Sequence, residues 1–111
     1  MEVKSSANQV RISARKMRLV ANEVRGYEFP EAADILRNMK KKSAGIILIA
    51  LRSAMANAKN LNPDAAEEDF FVKKIYVDEG TMWKRFMPRA RGSANRIRRK
   101  TSSLTIVLSD E

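Results

Sequence analysis

The chain has 111 residues, enough for one domain with a single modest core, and its 22 Lys and Arg against 13 Asp and Glu leave a net charge of +9. Such a surplus on a small domain points to a polyanionic partner through counterion release from phosphates, an argument that an acidic membrane surface also satisfies. The absence of cysteine and histidine excludes a disulfide framework and a thiolate metal site, and it removes the usual general base near neutral pH.

No catalytic residue, cofactor or metal site is therefore expected. The four glycines form neither a Walker nor a Rossmann phosphate loop. Met1-Glu2-Val3-Lys4 is not a basic head followed by an apolar stretch, so no signal peptide is expected and the chain should be cytoplasmic. No linker or repeat divides it, which makes residues 1–111 one domain.

Val3 to Ile12 is rich in Ser, Ala, Asn and Gln and alternates weakly, as an edge strand would. A first helix should start after Ser13, a good N-cap, and stop at Gly26, a good C′ residue. Along it Met17, Val20, Ala21 and Val24 form an apolar stripe, and Arg11, Arg15, Arg18, Asn22 and Arg25 form a second one. Positions 15 and 17 differ by about 200° around a helix, so the stripes lie on opposite sides. The arginine side is either a solvated face or one whose mutual repulsion is relieved by nearby phosphates.

A second, short helix begins around Pro30, with Ala33, Leu36 and Ile35 inward. Lys40-Lys41-Lys42 follows it, where a solvated turn and a phosphate contact are both open, and cations suit a helix C-terminus. A third helix, from about Ser43 to Asn60, is the most apolar part of the chain. Ile47, Leu51, Ala54, Ala58 and Leu61 make its stripe, widened by Ile46, Ile49, Ala50 and Met55. Its longest apolar run, Ala44 to Leu51, is far too short to span a bilayer. Met17, Met39 and Met55 read as core filler. Asp64, Glu67, Glu68 and Asp69 lack EF-hand spacing and read as a solvated connection.

Two strands follow. The run from Phe71 to Val77 places Phe71, Ile75 and Val77 on one face with Lys73 as an interruption, and the run from Ser103 to Leu108 places Leu104, Ile106 and Leu108 on one face. Between them, Gly80 to Lys100 carries Lys84, Arg85, Arg89, Arg91, Arg96, Arg98, Arg99 and Lys100 and no acid, so eight of the nine net charges sit in one segment. The other 90 residues hold 14 basic and 13 acidic side chains and are nearly neutral.

The basic segment follows no burial period, and two strands joined by about twenty residues suggest a hairpin running on past the sheet. Each arm of about ten residues would reach roughly 30 Å. Disordered loops are poor in large aromatics, whereas Trp83 and Phe86 stand between these charges as RNA-stacking residues do. Arginine outnumbers lysine six to two here, which favours bidentate phosphate contacts. The expected fold is α+β, with three helices packed on a small three-stranded antiparallel sheet and a long protruding β-hairpin at about 79–101.

Several runs resemble the bacterial-type family of the large-subunit ribosomal protein numbered twenty-two. They are Ser13-Ala-Arg-Lys-Met-Arg-Leu-Val20, Ser53-Ala-Met-Ala-Asn-Ala58, Ile75-Tyr-Val-Asp-Glu-Gly80, Lys84-Arg-Phe-Met-Pro-Arg-Ala-Arg-Gly92 and Arg96-Ile-Arg-Arg-Lys-Thr-Ser102. The match is collinear over nearly the whole chain and weakest at residues 1 to 10. Thr81, Met87 and Ser93 depart from the pattern. The resemblance implies a structural protein of the ribosome that binds large-subunit rRNA, assists assembly and lines the nascent-peptide exit tunnel with its hairpin. Its partners would be large-subunit rRNA, neighbouring large-subunit proteins and the nascent peptide. The implied rRNA contacts are Arg11, Arg15, Lys16, Arg18 and the eight cations of the hairpin, with Trp83 and Phe86 stacking on bases. Pro88, Arg89, Ala90, Arg91, Gly92 and Ser93 form the implied tunnel-lining tip.

Two other classes compete with that reading. A DNA-binding regulator would use the Arg11–Arg25 face in a groove, yet no dimer helix is evident. A membrane-surface module would need an amphipathic helix in the basic segment, which the sequence lacks.

Overall fold

The computed structural model describes residues 1–79, 83–88, 94–99 and 101–111, with Gln9 and the two middle segments described by backbone alone. In chain order it contains β1 (Glu2–Val10), α1 (Ala14–Val24), α2 (Phe29–Asn38), α3 (Lys42–Leu61), a 3₁₀ turn (Glu67–Asp69), β2 (Phe71–Glu79), β3 (Trp83–Pro88), β4 (Ala94–Arg99) and β5 (Ser102–Ser109). β1, β5 and β2 form a three-stranded antiparallel sheet in that spatial order, and β3 pairs with β4 in a separate two-stranded ladder. The α+β architecture expected from the sequence is the one observed.

β5 is the central strand, and its alternating Leu104, Ile106 and Leu108 are wholly buried. α3 packs over β1 and β5, α1 packs over β2, and α2 lies against α3. The core joins Met17, Val20 and Val24 of α1 to Leu36, Ile47, Leu51 and Met55 of the other helices and to the inner face of the sheet. Among the described side chains of β1 only Val3 is buried, and the strand's pairing with β5 slips between Ala7 and Val10. That irregularity accounts for the weak alternation in its sequence.

α1 begins where its N-cap signal lies. The Ser13 Oγ accepts from the Lys16 amide at 3.5 Å, and Gly26 takes a φ of 86° just past the C-terminus, a conformation only glycine adopts freely. α2 starts at Phe29 and buries Phe29 and Ala32 besides Ala33 and Leu36, while Ile35 is only half-buried.

Three placements differ from the sequence reading. Phe71 does not share the buried face of β2, because Val72 pairs with Leu108 and Lys74 with Val107, leaving Lys73 as an unpaired bulge residue. The bulge brings Val72, Ile75 and Val77 to the core and leaves Phe71 half-buried. On α3, Ile49 is 69% exposed because it lies about 200° around the helix from Ile47. Leu61, the last residue of that helix, is 73% exposed at the rim beside Glu2 and Lys4 of β1.

Candidate nucleic-acid interface

α1 turns Ala14, Met17, Val20, Ala21 and Val24 into the core, which leaves its arginines on the outer side. They do not act alike. Arg18 donates to the Val77 carbonyl from Nε at 3.1 Å and from Nη2 at 2.8 Å. Arg25 donates from Nη2 to the Ile75 carbonyl at 2.7 Å and from Nη1 to the Asn22 Oδ1 at 2.7 Å.

β2 is an edge strand, and a row of open backbone groups invites pairing with another chain. Here that row is closed. The Gly26 amide donates to the Val72 carbonyl at 3.0 Å, Val72 donates to Tyr27 at 2.9 Å, and Phe29 donates to Phe70 at 2.8 Å. Arg25 and Arg18 continue the cover toward the end of the strand. These two arginines therefore clamp the first helix to the sheet edge, a role that sequence spacing did not reveal. The available signal was their separation of seven residues, two turns on one face of the helix.

Arg11, Arg15 and Lys16 are different. They are exposed, and among the described residues no hydrogen bond or ion pair engages their side chains. Four of the thirteen acids of the body are paired elsewhere: Asp34 with Arg37 at 3.0 Å, Glu67 with Lys59 at 3.0 Å, Glu2 with Lys73, and Asp110 with the Met1 amine at 2.7 Å. The hydrogen bond from Lys73 holds the Glu2 carboxyl below its ordinary pKa, and the amino terminus does the same to Asp110. The amino terminus is raised in return, chiefly by its bond to Asp110. Among the described residues no acid forms an ion pair with Arg11, Arg15 or Lys16.

The hairpin is described through its backbone register. Trp83 lies opposite Arg99, Lys84 opposite Arg98, Arg85 opposite Ile97, Phe86 opposite Arg96, Met87 opposite Asn95 and Pro88 opposite Ala94. Arg89, Ala90, Arg91, Gly92, Ser93 and Lys100 lie outside the described residues, as do the side chains of the two strands. The register still sets a lysine against an arginine at adjacent positions of one ladder. Like charges directly opposed in a sheet destabilise it unless a counter-charge is supplied.

No group of three or more carboxylates among the described residues is placed to hold a metal ion. No helix of the described residues is long and apolar enough to cross a membrane.

A family model described as "Ribosomal protein L22p/L17e" matches residues 5–109. The chain is 53% identical over 110 residues to a "Large ribosomal subunit protein uL22" from Leptospira biflexa, covering 99% of this chain and 95% of that protein. It is 48% identical over 111 residues to the protein of the same name from Akkermansia muciniphila, covering 100% of this chain and 98% of that one. Against the Thermus thermophilus protein of that name the identity is 47% over 111 residues, with coverage of 100% and 97%.

Proposed function

The chain belongs to the ribosomal protein L22p/L17e family, and on that premise we propose that it is built into the large ribosomal subunit by contacts with large-subunit rRNA. The family is structural, and the chain is not an enzyme. In this reading residues 1–111 act as one domain in the cytoplasm, within the ribosome. The extended basic hairpin at about 79–101 threads into rRNA and lines the nascent-peptide tunnel. Its partners are rRNA, neighbouring large-subunit proteins and the nascent peptide, with neither DNA nor a membrane among them.

The observation that carries the reading is the charge of residues 80–100, eight of the nine net positive charges, on a ladder that opposes Lys84 to Arg98. An isolated two-stranded hairpin is marginal in water, and like-charged pairs weaken it further. Phosphates on both sides would supply the missing counter-charge. Lys84, Arg85, Arg89, Arg91, Arg96, Arg98, Arg99 and Lys100 then hold the backbone, while Trp83 and Phe86 stack on unpaired bases. Pro88 to Ser93 form the tip toward the lumen. On the body, Arg15 joins Arg11 and Lys16 as a free phosphate contact. Arg18 contributes only through donors not engaged with Val77.

The test is binding of the full chain to isolated large-subunit rRNA as a function of salt. Replacing Arg96, Arg98 and Arg99 together by Gln should lower the slope of log affinity against log salt by about 2–3, from roughly 0.7–0.9 per phosphate contact. Unchanged affinity and slope would refute the reading.

A further inference from the structure

The two edges of the three-stranded sheet are finished differently. β2 is closed along its outer side by Gly26, Tyr27 and Phe29 and by the Arg18 and Arg25 guanidiniums. β1 forms the opposite edge. Two hydrogen bonds fix which of its backbone groups face outward. The Asp110 amide donates to the Met1 carbonyl at 3.3 Å, so Met1 and, by alternation, Val3, Ser5 and Ala7 turn their groups toward β5. Asn57 of α3 donates from Nδ2 to the Lys4 carbonyl at 3.2 Å, which puts the groups of Glu2, Lys4 and Ser6 on the open side. Both bonds give the same alternation. Asn57 takes one carbonyl of that row, and among the described residues no bond reaches the rest of it.

A groove of about 370 Å³ opens beside the same edge, walled by Glu2, Val3 and Lys4 of β1 and by Asn57, Asn60 and Leu61 of α3. Leu61 is 73% exposed there, a large apolar side chain left to solvent. On the other face of the sheet Lys4 is exposed, lies opposite Val107 and enters no ion pair among the described residues, whereas Glu2 is held by Lys73. The edge therefore combines backbone donors and acceptors at strand spacing, an apolar wall on the helix side and an unpaired cation on the outer side. Phosphate oxygens could use only the donors of such a row, while an extended polypeptide uses donors and acceptors alike.

We propose that the outer edge of β1 receives an added β-strand, an extended segment of a neighbouring large-subunit protein. That segment carries an acid opposite Lys4 and, next to it, an apolar side chain opposite Val3 that fills the groove against Leu61. An edge lysine discourages pairing with strands that lack the acid, so Lys4 also selects the partner. The proposal rests on the large-subunit reading above and gives one of its protein contacts a place and a chemistry.

The experiment has two stages. In the free full chain, Ser6→Pro removes an outward N–H and should shift Tm by less than about 3 °C, whereas Ser5→Pro removes a ladder bond to β5 and should lower Tm by at least about 10 °C. Equal losses would overturn the assignment of the open row. In the second stage p-benzoylphenylalanine replaces Ser6 in the full chain, and purified large subunits containing it are irradiated. The expected product is a cross-link to one large-subunit protein, mapped to an extended stretch with an acid beside an apolar residue. A cross-link to rRNA alone, or none, would overturn the added strand. Lys4→Glu should lower the yield of the protein cross-link by about fivefold, while Lys74→Glu, two strands away, should leave it unchanged. Equal yields from the two variants would overturn the acidic partner. A dimer of the free chain that Ser6→Pro dissolves would assign the edge to a second copy and likewise overturn the proposal. Failure of the wild-type chain to enter large subunits would defeat the parent reading and this one with it, whereas entry without a protein cross-link defeats only the added strand.

Discussion

Replacing Arg18 by alanine removes two N–H donors from the Val77 carbonyl, at 3.1 and 2.8 Å, and leaves that acceptor on the edge of the sheet. A hydrogen bond from a charged donor contributes roughly 1.5–3 kcal/mol where water is excluded. Both bonds share one acceptor, and the outer side of Arg18 is exposed, so water replaces part of what is lost. The expected destabilisation is about 1–2 kcal/mol, which for a domain of this size lowers Tm by about 4–8 °C. Arg18→Lys keeps the charge but not the two-pronged geometry and should lose about half as much. Far-UV circular dichroism on the free protein, by heat and by urea, reads both variants. Arg15→Ala is the contrast: with no partner among the described residues it should change stability by less than about 0.5 kcal/mol while weakening rRNA binding. If Arg18→Ala melts within about 1 °C of the wild type, the clamp contributes nothing measurable and the separation of roles along α1 is wrong.

Ser102→Ala should leave Tm unchanged or raise it by a few degrees, because the Ser102 hydroxyl is fully buried with no hydrogen-bond partner among the described residues; a fall of several degrees would show a partner for it. Replacing residues 82–98 by a short turn should preserve cooperative unfolding, since the core formed among the described residues draws on the three helices and the β1–β5–β2 sheet, and should abolish most rRNA binding; loss of the cooperative transition is the contrary result. The Met1–Asp110 pair makes stability depend weakly on pH in two places. The depressed Asp110 carboxyl stabilises above the ordinary carboxylate range and loses its effect as pH falls through the folded value. The raised amine stabilises below its ordinary value and loses its effect as pH rises through the folded one. Asp110→Asn should flatten both limbs of the urea midpoint against pH, and unchanged limbs would contradict the pairing.

Elements with strong periodicity and a clear stop were legible in the sequence. α1 shows both, with Ser13 before it, Gly26 after it, and Met17, Val20, Ala21 and Val24 between, and every one of those assignments matches the fold. β5 is equally plain, because Leu104, Ile106 and Leu108 alternate without interruption in a central strand. β2 was misread at one end because a bulge leaves no mark in composition: Lys73 looked like a polar break in a fixed alternation, while it is the extra residue that shifts the alternation by one. On α3, Ile49 shows that a helix rich in apolar residues need not bury all of them. The candidate site divides in the same way. The hairpin charge was legible because it is contiguous. The division of the α1 arginines into clamp and free cations depends on how α1 packs beside β2, and local sequence does not encode it.

The arginine clamp and the basic hairpin are connected through the end of β2. The sheet pairs β2 with β5 as far as Glu79 opposite Ser102, so both arms leave it from adjacent strands. Arg18 grips the Val77 carbonyl two residues before that exit. Val77 opposite Leu104 and Ile75 opposite Ile106 are all buried, so a slip of one residue would carry Asp78 and Tyr76 into the core. The register at the hairpin's root is therefore fixed by the apolar core, and the outer edge of the strand is fixed by α1. A nearly neutral body can set that root without RNA, and under the proposed function phosphates would supply the counter-charge that the basic arms lack. Weakening the clamp should then affect RNA binding twice, through lost stability and through a less constrained direction for the arm. For that reason Arg18→Ala should lower rRNA affinity more than its remaining donors alone would account for, even at temperatures where the body is fully folded.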